Sequence, residues 1–572
     1  MNAPYQKHFQ IILITASAIS LLVLSMISVF RIDLTNEKRF SISQISKQQV
    51  NELNAPLHIT LYLSGDLNPG FQRLKRATLD MLSELKSHSN QSFKIDVINP
   101  SESENHSSRE AFYNVLTKRG MTATAIYERD KEGKAIQKIV FPWVEIKYKD
   151  KNLAVNLLKN VRGLSGEENL NISIENLEYE LMDGIRRISN TQISKIAFIE
   201  GHGEYTEAET YSISKTLSRY YQIDRGVIGN DASILKPYKA IIIAGPTRAF
   251  SETDKFIIDQ YIMQGGSVLW LIDPVRIARE NFSKSGFSPA IAHDLNLTDQ
   301  FFKYGIRMKP VLIQDVQCVQ IPVNIAAPGS EPQFEPTPWL FAPLLLASQQ
   351  HVITKNITEV KSDFASVVEI VGSNNAVRST LLLASSDNSR VIATPATIDL
   401  AKLDDATRTE LFVQQYLPVA VLQEGVFSSV FENRMLPQNL ENLTAHRSKS
   451  VPTKQIFIAD ADIIRNETNG IPSDSTTLPL GFDRYMNIQF GNNDFIQHAV
   501  LYLAGNEKWL ELRSRNFKLR LLNKNIMKQD RLFWQMVALT APLTLILGFG
   551  FCYQYRRKRL ANAFSKQATD KK

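Results

Sequence analysis

The sequence predicts an α/β membrane protein with two spans and a large extracytoplasmic region between them. Two apolar runs, residues 11–30 and 532–554, predict the spans. Between them, strands that alternate with helices predict a domain with a doubly wound, mostly parallel sheet. A β-α-β pattern that precedes this domain predicts a separate N-terminal α/β domain.

The C-terminal apolar run has the length and the flanks of a transmembrane helix. About 20 residues at a rise of 1.5 Å cross a hydrocarbon core of about 30 Å. Trp534 precedes the run and Tyr553 and Tyr555 close it, where aromatic rings prefer the headgroup layer. The basic tail, residues 555–572, is expected in the cytoplasm, because Lys and Arg accumulate on that side. A buried core helix is the alternative, and these flanks disfavour it.

Residues 1–30 are predicted to hold a cytoplasmic N-terminus and the first transmembrane helix. A cleaved signal peptide is the alternative, since Lys7 gives the run a positive start. No small-x-small cleavage site follows the run, and this favours an uncleaved anchor. With both termini inside, residues 31–531 form one extracytoplasmic segment that is held at both ends.

The net charge of +7 and the pI of about 9.0 do not predict a nucleic-acid partner. Nearly all of the positive balance lies in Lys7 and in residues 555–572, which leaves the outer segment close to neutral. The two cysteines, Cys318 and Cys552, fall on opposite sides of the predicted topology or at its boundary. Neither a structural disulfide nor a zinc site built on thiolates is therefore expected.

Residues 31–165 are predicted to form the N-terminal extracytoplasmic α/β domain. Its first helix is amphipathic, with Ile42, Ile45, Val50 and Leu53 on one side. The apolar patterns then predict strands at residues 57–63, 93–98, 139–149 and 153–158, and helices at residues 69–87 and 108–119.

The second domain is predicted over residues 166–510. Its strands at 239–244 and 267–272 are continuously apolar, as is typical of strands covered on both faces. Other strands are expected at residues 195–200, 417–422 and 455–459, and helices at residues 174–188, 206–221, 251–264 and 494–504. A proline-rich stretch at about 299–390 predicts an inserted set of strands and loops. Residues 511–531 are a polar juxtamembrane segment.

The loop Glu200-Gly-His-Gly-Glu204 lies between a predicted strand and a helix, where open α/β sheets bind ligands. It resembles the start of a dinucleotide fingerprint, but Thr206 occupies the third glycine position. Thr206 and Glu209 also form a predicted capping box, which satisfies the helix amides that a phosphate would need. Neighbouring glutamates would repel a phosphate, so no nucleotide cofactor is expected.

Glu200, His202 and Glu204 share one face of an extended backbone and could act as acid, base or metal ligands. Asp273, Asp460 and Asp462 follow other predicted strands and complete the set of candidate ligand-binding or partner-binding residues. The alternative, which we favour, is a glycine-permitted loop with solvated charges and capping aspartates. No catalytic residue and no metal site is predicted.

Motifs for common enzyme classes are absent from the sequence. It contains no Gly-x-Ser-x-Gly elbow, no Walker lysine loop and no His-Glu-x-x-His. Enzyme activity is therefore not indicated.

Several segments, in chain order, resemble the gliding-motility-associated ABC transporter protein family GldG. They are the stretch Arg31-Ile-Asp-Leu-Thr-Asn-Glu-Lys-Arg-Phe-Ser-Ile-Ser43, Leu61-Tyr-Leu-Ser-Gly-Asp-Leu67 with residues 70–74, residues 422–434, residues 490–495, and the Leu-Arg runs at 512–513 and 519–522.

The resemblance implies a two-pass inner-membrane protein of the Bacteroidetes gliding system, with its bulk in the periplasm and both termini in the cytoplasm. It implies a permease subunit (GldF) and an ATPase subunit (GldA) as partners. Residues 166–510 resemble the auxiliary domain of ABC-type transport systems, which is related to the intraflagellar-transport-like module. The family offers no catalytic residues to carry over.

The expected function is a non-enzymatic, substrate-binding-like accessory subunit of an ABC transporter. Its outer domains would bind a partner protein, a small molecule or a glycan, and its two helices would pack beside the permease. One alternative is an extracytoplasmic hydrolase or carbohydrate-acting enzyme that uses Glu200, His202 and Glu204. Another alternative is a structural scaffold of the cell envelope.

Overall fold

The structure, a computed structural model, describes residues 42–513 and 531–569 apart from short gaps. The gaps are residues 104, 130–134, 161–164, 191, 325, 327–329, 373–375, 401–408, 439, 444–445 and 469–476. The chain divides into two compact units after Asn516. The predicted first membrane helix and nearly all of the predicted juxtamembrane segment lie outside the described residues.

The first unit begins with an α/β lobe built on a four-stranded sheet in the order β2-β1-β5-β6. Strand β1 runs parallel to β2 and antiparallel to β5. The elements of this lobe are α1 (Gln44–Asn51), β1 (Leu57–Leu61), α2 (Pro69–Ser87), β2 (Phe93–Val97), α3 (His106–Lys118), β3 (Thr124–Arg129), β4 (Ala135–Val140), β5 (Trp143–Tyr148), β6 (Lys151–Asn156), α4 (Gly166–Glu175) and α5 (Leu177–Ser189).

Two predictions for this lobe were wrong in detail. The strand predicted at residues 139–149 is two strands, β4 and β5, because Pro142 between them has no N–H to donate to a ladder. The helix predicted at residues 174–188 is also two helices, α4 and α5, which meet at Asn176. Ser165 and Glu168 form a capping box that begins α4 eight residues before the predicted start.

A large mixed sheet follows, and its core is parallel. Strands β8, β7, β9, β10 and β23 lie side by side in that order and are all parallel. The elements of this part are β7 (Lys195–Glu200), α6 (Tyr211–Leu217), β8 (Gln222–Val227), β9 (Tyr238–Ala244), α7 (Glu252–Met263), β10 (Ser267–Leu271), β22 (Pro418–Gly425), β23 (Thr453–Ile458), α10 (Asn492–Leu503) and α11 (Glu507–Arg513).

Helices cover both faces of the parallel strands, as the sequence predicts. Alternate residues of each strand face opposite sides, so Phe198 and Ile242 pack in one core while Ile199 and Ile243 pack in the other. The first core also contains α6 and α10, and the second contains α7. This arrangement is a doubly wound sheet.

The strands between β10 and β22 extend the sheet and surround its edge. Antiparallel pairing through β22 adds β19, β16 and β15 to the parallel core. The elements of this region are β11 (Val275–Ile277), α8 (Glu280–Ser285), β12 (Phe287–Ala292), α9 (Thr298–Tyr304), β13 (Ile306–Lys309), β14 (Val311–Asp315), β15 (Cys318–Asn324), β16 (Phe334–Ala347), β17 (Val360–Lys361), β18 (Val367–Ile370), β19 (Val377–Ala384), β20 (Ser389–Ala393) and β21 (Ala396–Asp399). A small hairpin, β24 (Phe482–Asp483) and β25 (Ile488–Gln489), precedes α10.

The helix predicted at residues 206–221 is shorter in the structure, where only Tyr211–Leu217 is regular. The predicted capping box does form, because Glu209 accepts hydrogen bonds from the Thr206 backbone and hydroxyl at 3.0 and 2.9 Å. The Thr210 hydroxyl donates to the Thr206 carbonyl at 3.0 Å, and such side-chain bonds compete with the helical ladder.

The first and last described helices of the first unit both contact α5. The Glu178 carboxylate accepts hydrogen bonds from the Ser43 N–H and the Ser46 hydroxyl at 2.6 Å each, which ties down the start of α1. The next residue, Tyr179, lies under the Arg513 guanidinium at 5.6 Å, at the end of α11. Helices α1 and α11 also contact each other.

The second unit contains one long helix, α12 (Arg531–Thr569), which includes Pro542. Its stretch Leu532–Arg559 has 28 residues and a mean hydropathy of 1.8, and its apolar window is fully exposed. The predicted C-terminal helix is therefore long and apolar enough to cross a membrane. It is the one such helix among the described residues.

Candidate functional site

Three of the predicted site residues meet at one edge of the large sheet. Asp273 follows β10, and Asp460 and Asp462 follow β23. The two strands are parallel neighbours, so their carboxyl ends lie together. One oxygen from each of the three carboxylates lies within 4.8 Å of the others.

Backbone amides hold two of these carboxylates. Asp460 is fully buried and accepts from the Asp363 and Asp462 N–H groups at 3.0 and 2.9 Å. Asp273 accepts from the Ala461 N–H at 2.7 Å. Asp460 thereby caps the short 3-10 helix Ala461–Ile464, so it fixes the loop after β23.

An arginine from the region between β10 and β22 closes the cluster. The two terminal nitrogens of Arg279 contact Asp363 and Asp462, and its guanidinium packs over Phe364 at 5.0 Å. The Tyr205 hydroxyl donates to Asp462 Oδ1 at 3.1 Å. Arg465 approaches the same oxygen at 3.6 Å. Asp462 is thus held by donors on both of its oxygens.

Burial changes the protonation of the cluster. Burial, and then the charge of Asp462, raises the pKa of Asp273 to about 7. Burial likewise raises the pKa of Asp460 well above its ordinary value, and it raises the pKa of Asp363 despite the charge of Arg279. The cluster therefore retains protons at pH values where exposed carboxylates are ionised.

The donor set fits a salt-bridge network better than a metal ion. Oxygen ligands such as these suit a divalent cation, but Asp462 already faces Arg279 and Arg465. Both oxygens of Asp460 accept backbone amides. A divalent cation placed here would be repelled by the guanidinium groups of Arg279 and Arg465.

Two cavities adjoin the network, with volumes of about 510 and about 390 Å³. Both are lined by Glu209, Arg279, Asp363, Asp462 and Arg465, so the network forms the wall between them. The larger cavity also has cationic and aromatic side chains, namely Lys361, Arg484, Trp339, Phe482 and Tyr485. The smaller one includes Glu204, Asp273 and His293. These linings suit a polar ligand.

His202 lies in a different environment from the one predicted. It is buried, it stacks on Phe250 at 3.7 Å, and its Nδ1 and Nε2 contact Glu204 at 3.0 Å and Asp254 at 3.2 Å. Burial lowers the pKa of His202, but the hydrogen bonds and charges of Asp254 and Glu204 outweigh this and raise the pKa to about 9. A charged imidazole with both nitrogens engaged is not placed to accept a proton or to bind a metal.

The structure separates Glu200 from the other two loop residues. Glu200 accepts from Arg225 at 3.2 Å and is 41% exposed, whereas Glu204 and His202 bond to each other. Gly203 has a φ of +77° and its Cα faces Thr247, where an added Cβ would clash at 2.1 Å. The glycine is therefore required by this turn. The solvated charges that we favoured for this loop are wrong for His202 and Glu204, because their side chains are only 7% and 2% exposed.

Sequence reasoning missed Arg279, Asp363 and Asp254. Arg279 and Asp363 come from the region between β10 and β22, and only the tertiary fold brings them to the strand ends. Arg465 follows Asp462 by three residues and could have been noticed as a local charge pair.

Comparisons with known proteins cover most of the first unit. Residues 36–147 match a family described as a domain of unknown function. No curated protein matches the chain. A solved structure titled "mmIFT52 N-terminal domain" is 13% identical, with a TM-score of 0.31, over 55% of this chain and 98% of that one.

Residues 194–499 match the family described as "ABC-type uncharacterized transport system". This region contains the parallel sheet core and the whole carboxylate–arginine network. Because the match spans more than half of the 572 residues, the chain belongs to this family of ABC-type transport auxiliary proteins.

Proposed function

We propose that the chain is a non-enzymatic, twice-anchored accessory subunit that works beside a permease and an ATPase of the GldF and GldA type, in gliding motility or envelope transport. The observation that carries this proposal is the helix Leu532–Arg559, whose apolar window has no cover among the described residues of its own unit. Lipid and the helices of a permease would supply that cover.

The contacts at the strand ends support a non-enzymatic role. His202 has both ring nitrogens engaged, and Asp460 and Asp462 are held by internal donors. A general base needs a free lone pair within reach of substrate. These groups instead stabilise the loops that line the two cavities. The cavities are the proposed site for a polar ligand, such as a glycan or a polar segment of a partner.

The meeting of α1 and α11 on α5 supports the second anchor. Ser43 and Arg513 contact neighbouring residues of α5, Glu178 and Tyr179. The first and last described helices of the first unit therefore lie side by side, and the chain continues from each of them. In the proposed topology both connections run to the inner membrane, with the first unit in the periplasm and both termini in the cytoplasm.

The test is co-purification from the native cell. The full chain with a C-terminal tag is extracted in a mild detergent, and the bound proteins are identified by mass spectrometry. We expect an ABC permease and its ATPase. Their absence from the wild-type sample would contradict the proposal.

A matched control separates membrane insertion from partner contact. In the control variant, residues 532–554 are replaced by a polyleucine helix, which still inserts but lacks the native surface. We expect this variant to stay in the membrane fraction and to lose the permease. Equal recovery of the permease would show that contact is made elsewhere in the chain.

A further inference from the structure

The N-terminal lobe contains a groove of about 1260 Å³ that the transport proposal does not use. It lies between the start of α2, strand β3, the residues after β6 and the start of α4. Pockets for small molecules usually measure roughly 300–1,000 Å³. The larger volume suits a segment of polypeptide.

One side of the groove is an open strand edge. Strand β3 pairs with β4, and no other described strand pairs with it. Six consecutive residues, 122–127, line the groove. Successive side chains of a strand point to opposite faces, so a continuous run of lining residues indicates that the edge faces the groove. An open edge presents N–H and C=O groups to which another strand can be added.

The rest of the lobe holds this edge in place. The Trp143 indole N–H donates to the Thr122 carbonyl at 2.8 Å, just before β3. Lys138 on β4 forms an ion pair with Asp66 at 2.6 Å. Ile126 is buried in the core of the lobe. A preformed edge lowers the entropic cost of binding an extended segment.

The groove is electropositive. Helix α2 has 19 residues, and its start is capped by the neutral side chain of Asn68, with no acidic residue in its first turn. Arg73 and Arg76 follow on the same helix, and Arg76 has no ion-pair partner in the described part of the chain. Lys159 lines the groove and pairs with Glu180 outside it. Glu167, at 3.7 Å from Arg73, is the acidic residue among the described lining.

An occupant that complements this groove needs negative charge. The two longest segments outside the described residues do not supply it. Residues 1–41 and 514–530 both contain more basic than acidic side chains. Neither segment would supply an acidic occupant of the groove. We infer that the groove binds an acidic, extended segment of a partner protein, which adds to β3 as a strand and places its carboxylates near Arg73 and Arg76.

The test uses the full chain in detergent and a fluorescent peptide about as long as the six-residue β3, alternating valine and glutamate. Binding is measured by fluorescence anisotropy. A peptide with lysine in place of glutamate is the charge control, and an N-methylated acidic peptide, which cannot donate to the strand, is the backbone control. We expect the acidic peptide to bind at least about tenfold more tightly than either control.

Substitutions in the full chain test whether the acidic peptide binds in this groove. Arg76→Glu should weaken the binding of the acidic peptide by about tenfold, and Arg76→Gln should weaken it less. Arg219→Glu is the matched control, because Arg219 is exposed, lies outside the groove and has no ion-pair partner in the described part of the chain. Circular dichroism of each variant checks that the fold is retained, as expected for exposed positions.

Four results would overturn the inference. They are no binding of the acidic peptide, equal binding of the acidic and basic peptides, equal loss in Arg76→Glu and Arg219→Glu, and full binding of the N-methylated peptide. Binding of phosphatidylglycerol vesicles through Arg76, in place of the peptide, would assign the groove to lipid and would also overturn it.

Discussion

At the scale of single residues, Arg279 connects the region between β10 and β22 to the carboxyl end of β23. Its guanidinium contacts Asp363, which lies before β18, and Asp462, which lies after β23. Asp363 Oδ1 is buried and has no hydrogen-bond partner among the residues that the structure describes, so this carboxylate depends on Arg279 for compensation of its charge. Removal of the cation leaves two neighbouring carboxylates without their main partner.

We therefore expect Arg279→Met to destabilise the first unit. Breaking a fully buried pair costs about 3–5 kcal/mol, and about 2 kcal/mol is expected here because the Arg279 side chain is 39% exposed. Thermal unfolding in detergent measures the change. Arg219→Met, at an exposed position without an ion pair, should change stability by less than about 0.5 kcal/mol. Equal melting temperatures for the two variants would contradict this role for Arg279.

The raised pKa of Asp273 predicts a pH dependence of stability. Burial and the Asp462 charge raise this pKa from 3.8 to about 7, so the folded form holds a proton that the unfolded form releases. Stability contributed by this group is present below pH 4 or so and is lost as the pH rises to about 7. Asp273→Asn should make the melting temperature flatter across this window. It should not abolish the slope, because the pKa values of Asp363 and Asp460 are raised as well. A slope as steep as that of the wild type would contradict the assignment.

At the scale of helices and strands, local sequence patterns identified most elements of the parallel core. The boundaries of α2 and β7 agree with the prediction, because Pro69 starts the helix and a continuous apolar run marks the strand. The predicted helix at residues 206–221 was too long because side-chain hydrogen bonds, such as that of Thr210, compete with the helical backbone bonds. The predicted strand at residues 139–149 was divided because Pro142 interrupts the hydrogen bonding between strands.

The candidate site was harder to predict than the fold. Asp273, Asp460 and Asp462 could be expected together because each follows a buried strand. Their partner Arg279 carries no local signal, since it meets Asp462 across 183 residues of chain. The spacing of Glu200, His202 and Glu204 suggested an extended backbone. The glycines between them bend the backbone instead, and this bend lets His202 and Glu204 bond to each other.

Helix α11 joins the two hydrophobic cores of the first unit. Leu510 packs in the core of the large sheet, and Leu512 packs in the core of the N-terminal lobe. Trp509 also lies beside Arg186 of α5, at 4.7 Å from its guanidinium. A single short helix thus connects both lobes near the connection to α12.

We expect Leu512→Ala to destabilise the attachment of this helix. Loss of a fully buried leucine side chain costs about 2–4 kcal/mol, including the cavity that it leaves. Limited proteolysis should show earlier cleavage near residues 507–530, and unfolding should begin at a lower temperature. Val413→Ala, at a site that is 76% exposed, is the control and should behave like the wild type. Indistinguishable cleavage of the two variants would argue against the attachment.

At the scale of the whole molecule, the proposed topology places the first unit outside the cytoplasm and the basic end of α12 inside. Protease added to spheroplasts should therefore digest the first unit and spare a C-terminal tag. Antibodies to each part report the result, and detergent lysis, which exposes both, is the control. Protection of the first unit with loss of the tag would show the opposite orientation.

The shared attachment of α1 and α11 to α5 has a mechanical consequence. A force applied to Ser43 or to Arg513 acts on Glu178 or Tyr179, which are adjacent residues of α5. Helix α5 would therefore bear a force applied to either of these two helices.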